Sequence, residues 1–117
     1  MIGYLVQRSP QDRRGFETFF SSCLDGLKED PSAWVFLRGD GIYQGLRYQV
    51  VDEPSFSIPV AGGWRALLAR GVQVYVSERC AELRGLGKSK YFLKEAKLVG
   101  TDQLVRLTLK ADKVESL

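Results

Sequence analysis

Histidine is absent from the 117 residues of this chain, and cysteine is scarce. Without histidine, one chain cannot build a Ser-His-Asp or Cys-His catalytic triad, or a zinc site that uses imidazole. The two cysteines, Cys23 and Cys80, are too few for a structural zinc site or a disulfide framework, and they fit a reducing compartment. Covalent chemistry by this chain must therefore rest on cysteine, serine, lysine or a carboxylate.

Long apolar runs and a strong charge of either sign are also missing. No run approaches the ~20 apolar residues of a membrane helix, and residues 1–8 lack the basic leader and long apolar core of a signal peptide. We therefore expect a cytoplasmic protein with no membrane partner. The net charge of +3 is too small to indicate nucleic-acid binding by itself. The length and the ordinary hydrophobic content, 44%, predict a single domain over residues 1–117.

Strand and helix patterns alternate along the chain. Apolar runs predict strands at residues 2–7, 33–37, 72–76, 97–99 and 113–117. The polar stretch 8–15 is predicted to be a loop. In the helix predicted at 16–27, apolar residues recur three and four apart, and they place Cys23 in the core. Shorter helices are predicted at 42–46, 64–70 and 102–110. This alternation predicts an α/β fold with a mostly parallel sheet and helices on both faces.

The segment 51–63 is predicted to be a loop with much apolar surface near it. The large apolar side chains of this region are Phe56, Ile58 and Trp64. We expect the segment either to fold over the domain or to be buried at a subunit contact. Elsewhere, Gly71 is placed to end a helix in the left-handed conformation, and Thr101 is placed to cap the helix 102–110.

A cysteine follows the predicted strand 72–76 in the first turn of a helix. Ser77 is placed to cap that helix, because its hydroxyl can accept a hydrogen bond from a free backbone N–H two or three residues later. Cys80 is then the third helical residue, where the helix dipole favours the thiolate. Arg79 and Arg84 act in the same direction, whereas two glutamates of the helix oppose them. The alternative is a small cysteine that only packs.

Loops that follow parallel strands gather at the carboxyl edge of the sheet, where such folds place their sites. The turn Arg38-Gly39-Asp40-Gly41 is expected there, beside the helix of Cys80. Backbone N–H groups of a glycine-rich turn can bind an anion. The alternative is a turn that only redirects the chain, with Asp40 as a helix cap.

A basic stretch begins in the same helix. Its positive residues are Arg84, Lys88, Lys90, Lys94 and Lys97, and two aromatic residues, Tyr91 and Phe92, lie among them. Such a run is usually a solvated face. A second interpretation is docking of an acidic protein. Single-stranded nucleic acid also binds basic runs with aromatic residues, but it is the weakest of the three expectations.

Several motifs in order give the chain a specific resemblance. They are Phe36-Leu37-Arg38-Gly39-Asp40-Gly41-Ile42-Tyr43-Gln44, Gly71-Val72-Gln73-Val74-Tyr75-Val76, Leu83-Arg84-Gly85-Leu86, Leu98-Val99-Gly100 and Ala111-Asp112-Lys113-Val114. Together they resemble the DsrE/DsrF-like family, which includes the DsrEFH and TusBCD sulfur-relay proteins. The resemblance implies a single-domain, three-layer α/β sandwich with a five-stranded, mostly parallel sheet. It also implies an oligomer, either a dimer, a trimer or a hexamer.

The resemblance implies a site as well. In active members of the family, a cysteine seven positions before the Arg-Gly pair carries sulfur as a persulfide, and here that position is Ser77. Some members have a second cysteine three positions later, which Cys80 matches, so the resemblance implies that Cys80 is the sulfur carrier. The implied supporting and pocket residues are Ser77, Arg79, Arg84, Gly39, Asp40 and Gly41. Sulfur donor and acceptor proteins are the implied partners, and no metal or organic cofactor is needed.

Two other functions fit the same residues. Because a serine cannot hold a persulfide, the chain could be a non-catalytic subunit of an oligomeric assembly, with segment 56–64 at the subunit contact. It could also be a subunit that binds a small ligand in a pocket at the carboxyl edge of the sheet.

Overall fold

All five strands in the described part of the chain join one parallel sheet in the computed structural model, which describes residues 1–49 and 59–117. The strands are β1 (Ile2–Val6), β2 (Ala33–Leu37), β3 (Gln73–Ser77), β4 (Ala96–Val99) and β5 (Lys113–Ser116). Their order across the sheet is β4-β3-β2-β1-β5, and every pairing is parallel. The predicted α/β fold with a parallel sheet is confirmed, and so is the strand number that the resemblance implied.

Helices cover both faces of this sheet. Within the described ranges the α-helices are α1 (Arg13–Glu29), α2 (Val60–Ala69), α3 (Glu78–Leu83) and α4 (Thr101–Lys110), and two 3₁₀ helices span Gly39–Gly45 and Ser89–Tyr91. On one face, Phe19 of α1 and Trp64 of α2 share a core cluster with Val35. On the other face, Leu107 of α4 packs in a cluster with Trp34. The prediction of three layers therefore holds.

The central strand β2 explains why both layers are needed. All five of its residues are buried, and successive side chains point to opposite faces of the sheet. Val35 therefore enters one core cluster and Trp34 the other. On the neighbouring strand, Gly3 leaves room for the Trp34 ring, since a Cβ atom at Gly3 would overlap that ring.

Helix α1 begins earlier than its apolar pattern predicts. The carboxylate of Asp12 accepts a hydrogen bond from the Gly15 N–H at 2.9 Å and caps the helix, so residues 13–15 are helical and not loop. The position predicted for Cys23 is confirmed, because its side chain is fully buried. Burial, reinforced by the negative charge of Glu115, raises the pKa of Cys23 to about 12, so this thiol stays protonated at neutral pH.

Helix α2 also differs from its prediction. It begins at Val60 instead of Trp64, and Trp64 is buried in the core, with its ring centroid 5.5 Å from that of Phe19. Trp64 is therefore a core residue of this fold and is not available for a subunit contact. The predicted loop residues Phe56 and Ile58 lie outside the described residues.

Two predicted helix ends have different outcomes. Gly71 adopts a positive φ of 83° after α2, as predicted. The prediction that Thr101 caps α4 is wrong, because Thr101 is the first helical residue and Gly100 precedes it as the cap, without a side-chain hydrogen bond. Within residues 1–49 and 59–117, no helix has the length and apolar character to cross a membrane.

Candidate functional site

The site lies where β2 and β3 end side by side. Leu37 of β2 pairs with Val76 of β3, so the residues that follow these two strands meet at one edge of the sheet. After β2 the chain enters the 3₁₀ helix Gly39–Gly45, and after β3 it passes directly into α3. Cys80 is the third residue of α3, as the sequence predicts, and it is partly exposed.

Ser77 fixes the start of α3. Its hydroxyl oxygen accepts a hydrogen bond from the backbone N–H of Cys80 at 3.2 Å, which confirms the predicted cap. Hydrogen bonding by the same hydroxyl also lowers the pKa of Cys80. One side chain therefore satisfies a free N–H of the first turn and also contacts the candidate nucleophile.

The turn after β2 contributes a backbone donor. Gly39 has a positive φ of 56°, a conformation that side chains with a Cβ atom rarely adopt. Hydrogen bonding by its backbone amide lowers the pKa of Cys80. This is the kind of hydrogen bonding that the glycine-rich turn was predicted to offer, but it acts on a thiol of the same chain.

Arg84 holds the two halves of the site together. Its Nη1 donates to the backbone oxygen of Cys80 at 3.0 Å, and its Nη2 donates to Oδ1 of Asp40 at 3.0 Å. Asp40 lies in the first turn of the 3₁₀ helix, but its side chain makes no cap hydrogen bond there. The expectation that Asp40 is a helix cap is therefore wrong, and its partner is Arg84.

These contacts together determine the ionisation of Cys80. Partial burial alone would raise its pKa. The hydrogen bonds from the Ser77 hydroxyl and the Gly39 amide outweigh that effect, aided by the positive charges of Arg84 and Arg38, so the pKa of Cys80 lies below its ordinary value. Because α3 has only six residues, we attribute the lowered pKa to these neighbours more than to a helix dipole.

Three other residues of the region take different positions. Gly41 is buried, and a Cβ atom there would overlap the backbone oxygen of Val6, so Gly41 lets the turn pack on the end of β1. Arg79 is exposed to solvent, and the arginines whose charges lower the pKa of Cys80 are Arg84 and Arg38. Arg38 was not among the predicted site residues, although its position directly after β2 is a usable signal.

Gln44 is a further residue that sequence reasoning missed. It is almost fully buried, and its Nε2 donates to the backbone oxygen of Arg8 at 2.8 Å. It thereby ties the 3₁₀ helix of the site to the segment after β1. Nothing in the sequence around Gln44 distinguishes it from a surface glutamine. Within residues 1–49 and 59–117, no group of three or more acidic, cysteine or histidine residues could hold a metal ion.

Comparisons with known proteins agree with this architecture. The structure is similar to the crystal structure of the YchN protein from E. coli, with a TM-score of 0.79 and 18% identity over 99% of this chain and 97% of that one. It is also similar to MTH1491 of Methanobacterium thermoautotrophicum, a protein of unknown function, with a TM-score of 0.71 and 12% identity over 99% and 96% of the two chains. No curated protein matches the sequence significantly. The DsrE/DsrF-like family matches residues 2–114, and the chain belongs to that family.

Proposed function

We propose that this protein is a persulfide carrier in intracellular sulfur metabolism, with the thiol of Cys80 as the sulfur-carrying group. The observation that carries the proposal is the surroundings of that thiol. Cys80 is partly exposed, its backbone contacts Ser77 and Arg84, and hydrogen bonding by Ser77 and Gly39 lowers the pKa of its thiol. The thiolate, and not the thiol, is the nucleophile in sulfur exchange, so these neighbours favour the reactive form. Family membership supports the same chemistry.

The loading step is a displacement at sulfur. The Cys80 thiolate attacks the outer sulfur of a donor persulfide, R–S–SH. A new S–S bond forms on Cys80 while the S–S bond of the donor breaks, and the donor leaves as the thiolate R–S⁻ with the electron pair of that bond. The proton stays on the transferred sulfur, and no outside oxidant or reductant is needed. Unloading is the same displacement, made by an acceptor thiolate on the persulfide of Cys80.

Within this proposal, the neighbours of Cys80 have separate roles. Hydrogen bonding by the Gly39 amide and the Ser77 hydroxyl lowers the pKa of Cys80, and it can stabilise negative charge on the thiolate before transfer. Arg84 adds positive charge and binds the backbone of the same residue. Ser77 takes no sulfur itself, since a serine cannot form a persulfide. The carrier therefore uses one thiol, and its partners are a sulfur donor and a sulfur acceptor.

A second candidate function is that of an assembly subunit without chemistry. The observation that favours it is the outer surface of α4, where Val105 is 53% and Leu109 is 80% exposed. Residues four apart lie on the same side of a helix, so these two side chains form an apolar surface that a second copy of the chain can cover. We propose that the protein is a cytoplasmic homo-oligomer in either case. A small ligand at the Cys80 site is a third option, and it requires no reactive thiol.

Intact-mass spectrometry after incubation with a sulfane-sulfur donor tests the carrier function. The expected result is a gain of one sulfur, about 32 Da, on the parent protein and none on the Cys80→Ser variant, because only a thiolate can attack the donor. A Cys23→Ser variant is the matched control, and it should still load, since Cys23 is buried. No gain on the parent, or a gain that survives Cys80→Ser, would reject Cys80 as the carrier and favour the assembly subunit.

A further inference from the structure

A group of exposed basic and apolar side chains lies beside the Cys80 site. We call it the basic rim, and it consists of Arg47, Leu83, Lys88, Lys90 and Tyr91. All five residues are exposed, including the apolar Leu83 at 72% and the aromatic Tyr91 at 38%. A large apolar side chain that is exposed among cations is a combination typical of a protein interface.

Backbone contacts hold the Arg47 and Tyr91 parts of the basic rim together. The N–H of Arg47 donates to the oxygen of Tyr91 at 2.8 Å, and an isolated antiparallel bridge joins Leu46 to Phe92. The Lys90 ammonium lies 5.3 Å from the centroid of the Tyr91 ring. The segment after the 3₁₀ helix Gly39–Gly45 is therefore held against the segment after α3.

The basic rim also reaches the thiol. Leu83 follows Cys80 by three residues in α3, and residues three apart lie on the same side of a helix. The 3₁₀ helix that precedes Arg47 contains Asp40, which binds the Arg84 guanidinium that also contacts the Cys80 backbone. A molecule that covers Leu83 thus comes close to the sulfur of Cys80.

The charge of this region is positive, although Asp40 pairs with one of its cations, Arg84. Residues 78–97 contain six lysines and arginines and three glutamates, a net charge of +3. Among the described residues, no ion pair engages Arg47, Lys88 or Lys90. These cations are therefore available to a partner of negative charge.

We propose that the basic rim docks an acidic segment of a protein that brings a sulfur atom to Cys80, with an apolar side chain of that segment packed on Leu83. The proposal rests on the proposed carrier function, which requires a donor or acceptor at this edge. A protein fits better than nucleic acid for two reasons. The exposed Leu83 suits an apolar side chain and has no ring face on which a base can stack, and the Lys90 ammonium already lies over the ring of Tyr91.

Binding of two synthetic peptides tests the docking surface apart from the chemistry. One peptide contains a cysteine, a leucine and several aspartates and glutamates, and the other replaces every acid by its amide. Both are titrated by fluorescence anisotropy into the Cys80→Ser protein at low salt, so that no sulfur transfer can occur. We expect the acidic peptide to bind at least about tenfold more tightly than the neutral one, and the difference to shrink as salt is added.

A pair of charge-matched variants locates the binding surface. In K88E/K90E the acidic peptide should lose most of its advantage over the neutral peptide. In K28E/K110E, which changes the net charge equally on the helices α1 and α4, it should keep that advantage. Equal binding of the two peptides, or an equal loss in both variants, overturns the proposal. Tighter binding of a single-stranded oligonucleotide than of the acidic peptide overturns it in favour of nucleic acid. Failure of sulfur loading on the parent protein rejects the carrier function. Peptide binding is measured on the Cys80→Ser protein, so its result tests the docking surface independently of sulfur loading.

Discussion

Arg84 joins Asp40 to the backbone of Cys80, across a sequence separation of 44 residues between the two charged partners. One guanidinium nitrogen donates to the Asp40 carboxylate and the other to the Cys80 carbonyl, each at 3.0 Å. The ion pair is partly exposed, and such pairs contribute about 1 kcal/mol or less to stability. Its main effect is therefore to fix the position of a positive charge beside the thiol.

Replacement of Arg84 by alanine should make Cys80 less reactive. Without the nearby positive charge the thiolate is less stable, so the pKa of Cys80 rises and alkylation by iodoacetamide near neutral pH becomes several-fold slower. The pH dependence of the alkylation rate measures this change. Arg79→Ala is the matched control, since it removes the same charge from an exposed position of α3. If Arg79→Ala slows the reaction as much as Arg84→Ala, the charge acts at long range and the contact has no special role.

Replacement of Ser77 by alanine should affect both stability and reactivity. The variant loses the helix cap, which costs about 1 kcal/mol of unfolding free energy, and it loses the hydroxyl whose hydrogen bonding lowers the pKa of Cys80. The pKa of Cys80 should therefore rise. Urea denaturation and the pH profile of alkylation measure the two effects. Ser77→Thr keeps the hydroxyl and should restore most of both properties, whereas a Thr variant as impaired as the Ala variant would point to packing instead of hydrogen bonding.

The fold could be predicted from the sequence because its signals are local. The apolar run of β2 reflects a strand that is buried on both faces, and the apolar stripe of α1 reflects a helix that is buried on one face. Each pattern can be recognised within a short stretch of sequence. The boundaries were less accurate. The start of α1 depends on a hydrogen bond from the Gly15 N–H to the Asp12 carboxylate, and α2 begins at Val60, before the residues that its pattern indicates. The Asp12 cap is a polar signal that an apolar pattern does not contain, and α2 has no side-chain cap to mark its start.

The site was predictable to the same extent. Ser77 and Cys80 are three residues apart, so their relationship follows from the strand-to-helix turn alone. The partner of Arg84 did not follow, because Asp40 has a plausible local role as a helix cap that the structure does not use. Arg38 could have been predicted from its position directly after β2, but Gln44 acts through a contact with another segment, and a single sequence carries no signal that identifies that contact.

Replacement of Gly39 by alanine should separate backbone strain from thiol chemistry. At a φ of 56° a Cβ atom is strained by roughly 1 kcal/mol, and relief of that strain moves the amide away from the Cys80 sulfur. We expect lower stability and a higher pKa of Cys80. Gly71→Ala is the control. Gly71 also has a positive φ, and an added Cβ atom there would meet open space, but Gly71 follows α2 and is not part of the Cys80 site. It should lose similar stability with no change in the alkylation profile of Cys80. A Gly39→Ala protein with normal thiol reactivity would show that the Gly39 amide is dispensable.

The buried thiol of Cys23 should make the protein less stable in alkaline solution. Its pKa is raised by burial to about 12 from an ordinary value of 9.0. Between these two values the unfolded chain releases a proton that the native protein keeps, so the unfolding free energy falls as pH rises, by about 1.4 kcal/mol per pH unit for one such group. Tyr4, whose pKa burial also raises to about 12, adds to the fall at higher pH.

A Cys23→Ala variant tests this alkaline loss of stability. The variant should be less stable than the parent at neutral pH, because a buried side chain is shortened. Its unfolding free energy should then fall less steeply above the ordinary thiol pKa, since one of the groups responsible is gone. Urea denaturation at a series of pH values measures both slopes. Cys80→Ser is the control, because the pKa of Cys80 is lowered in the folded state. That group loses its proton in both states at alkaline pH, so its removal should leave the slope there unchanged. Parallel curves for the parent and Cys23→Ala would mean that the native protein also releases the Cys23 proton in this range.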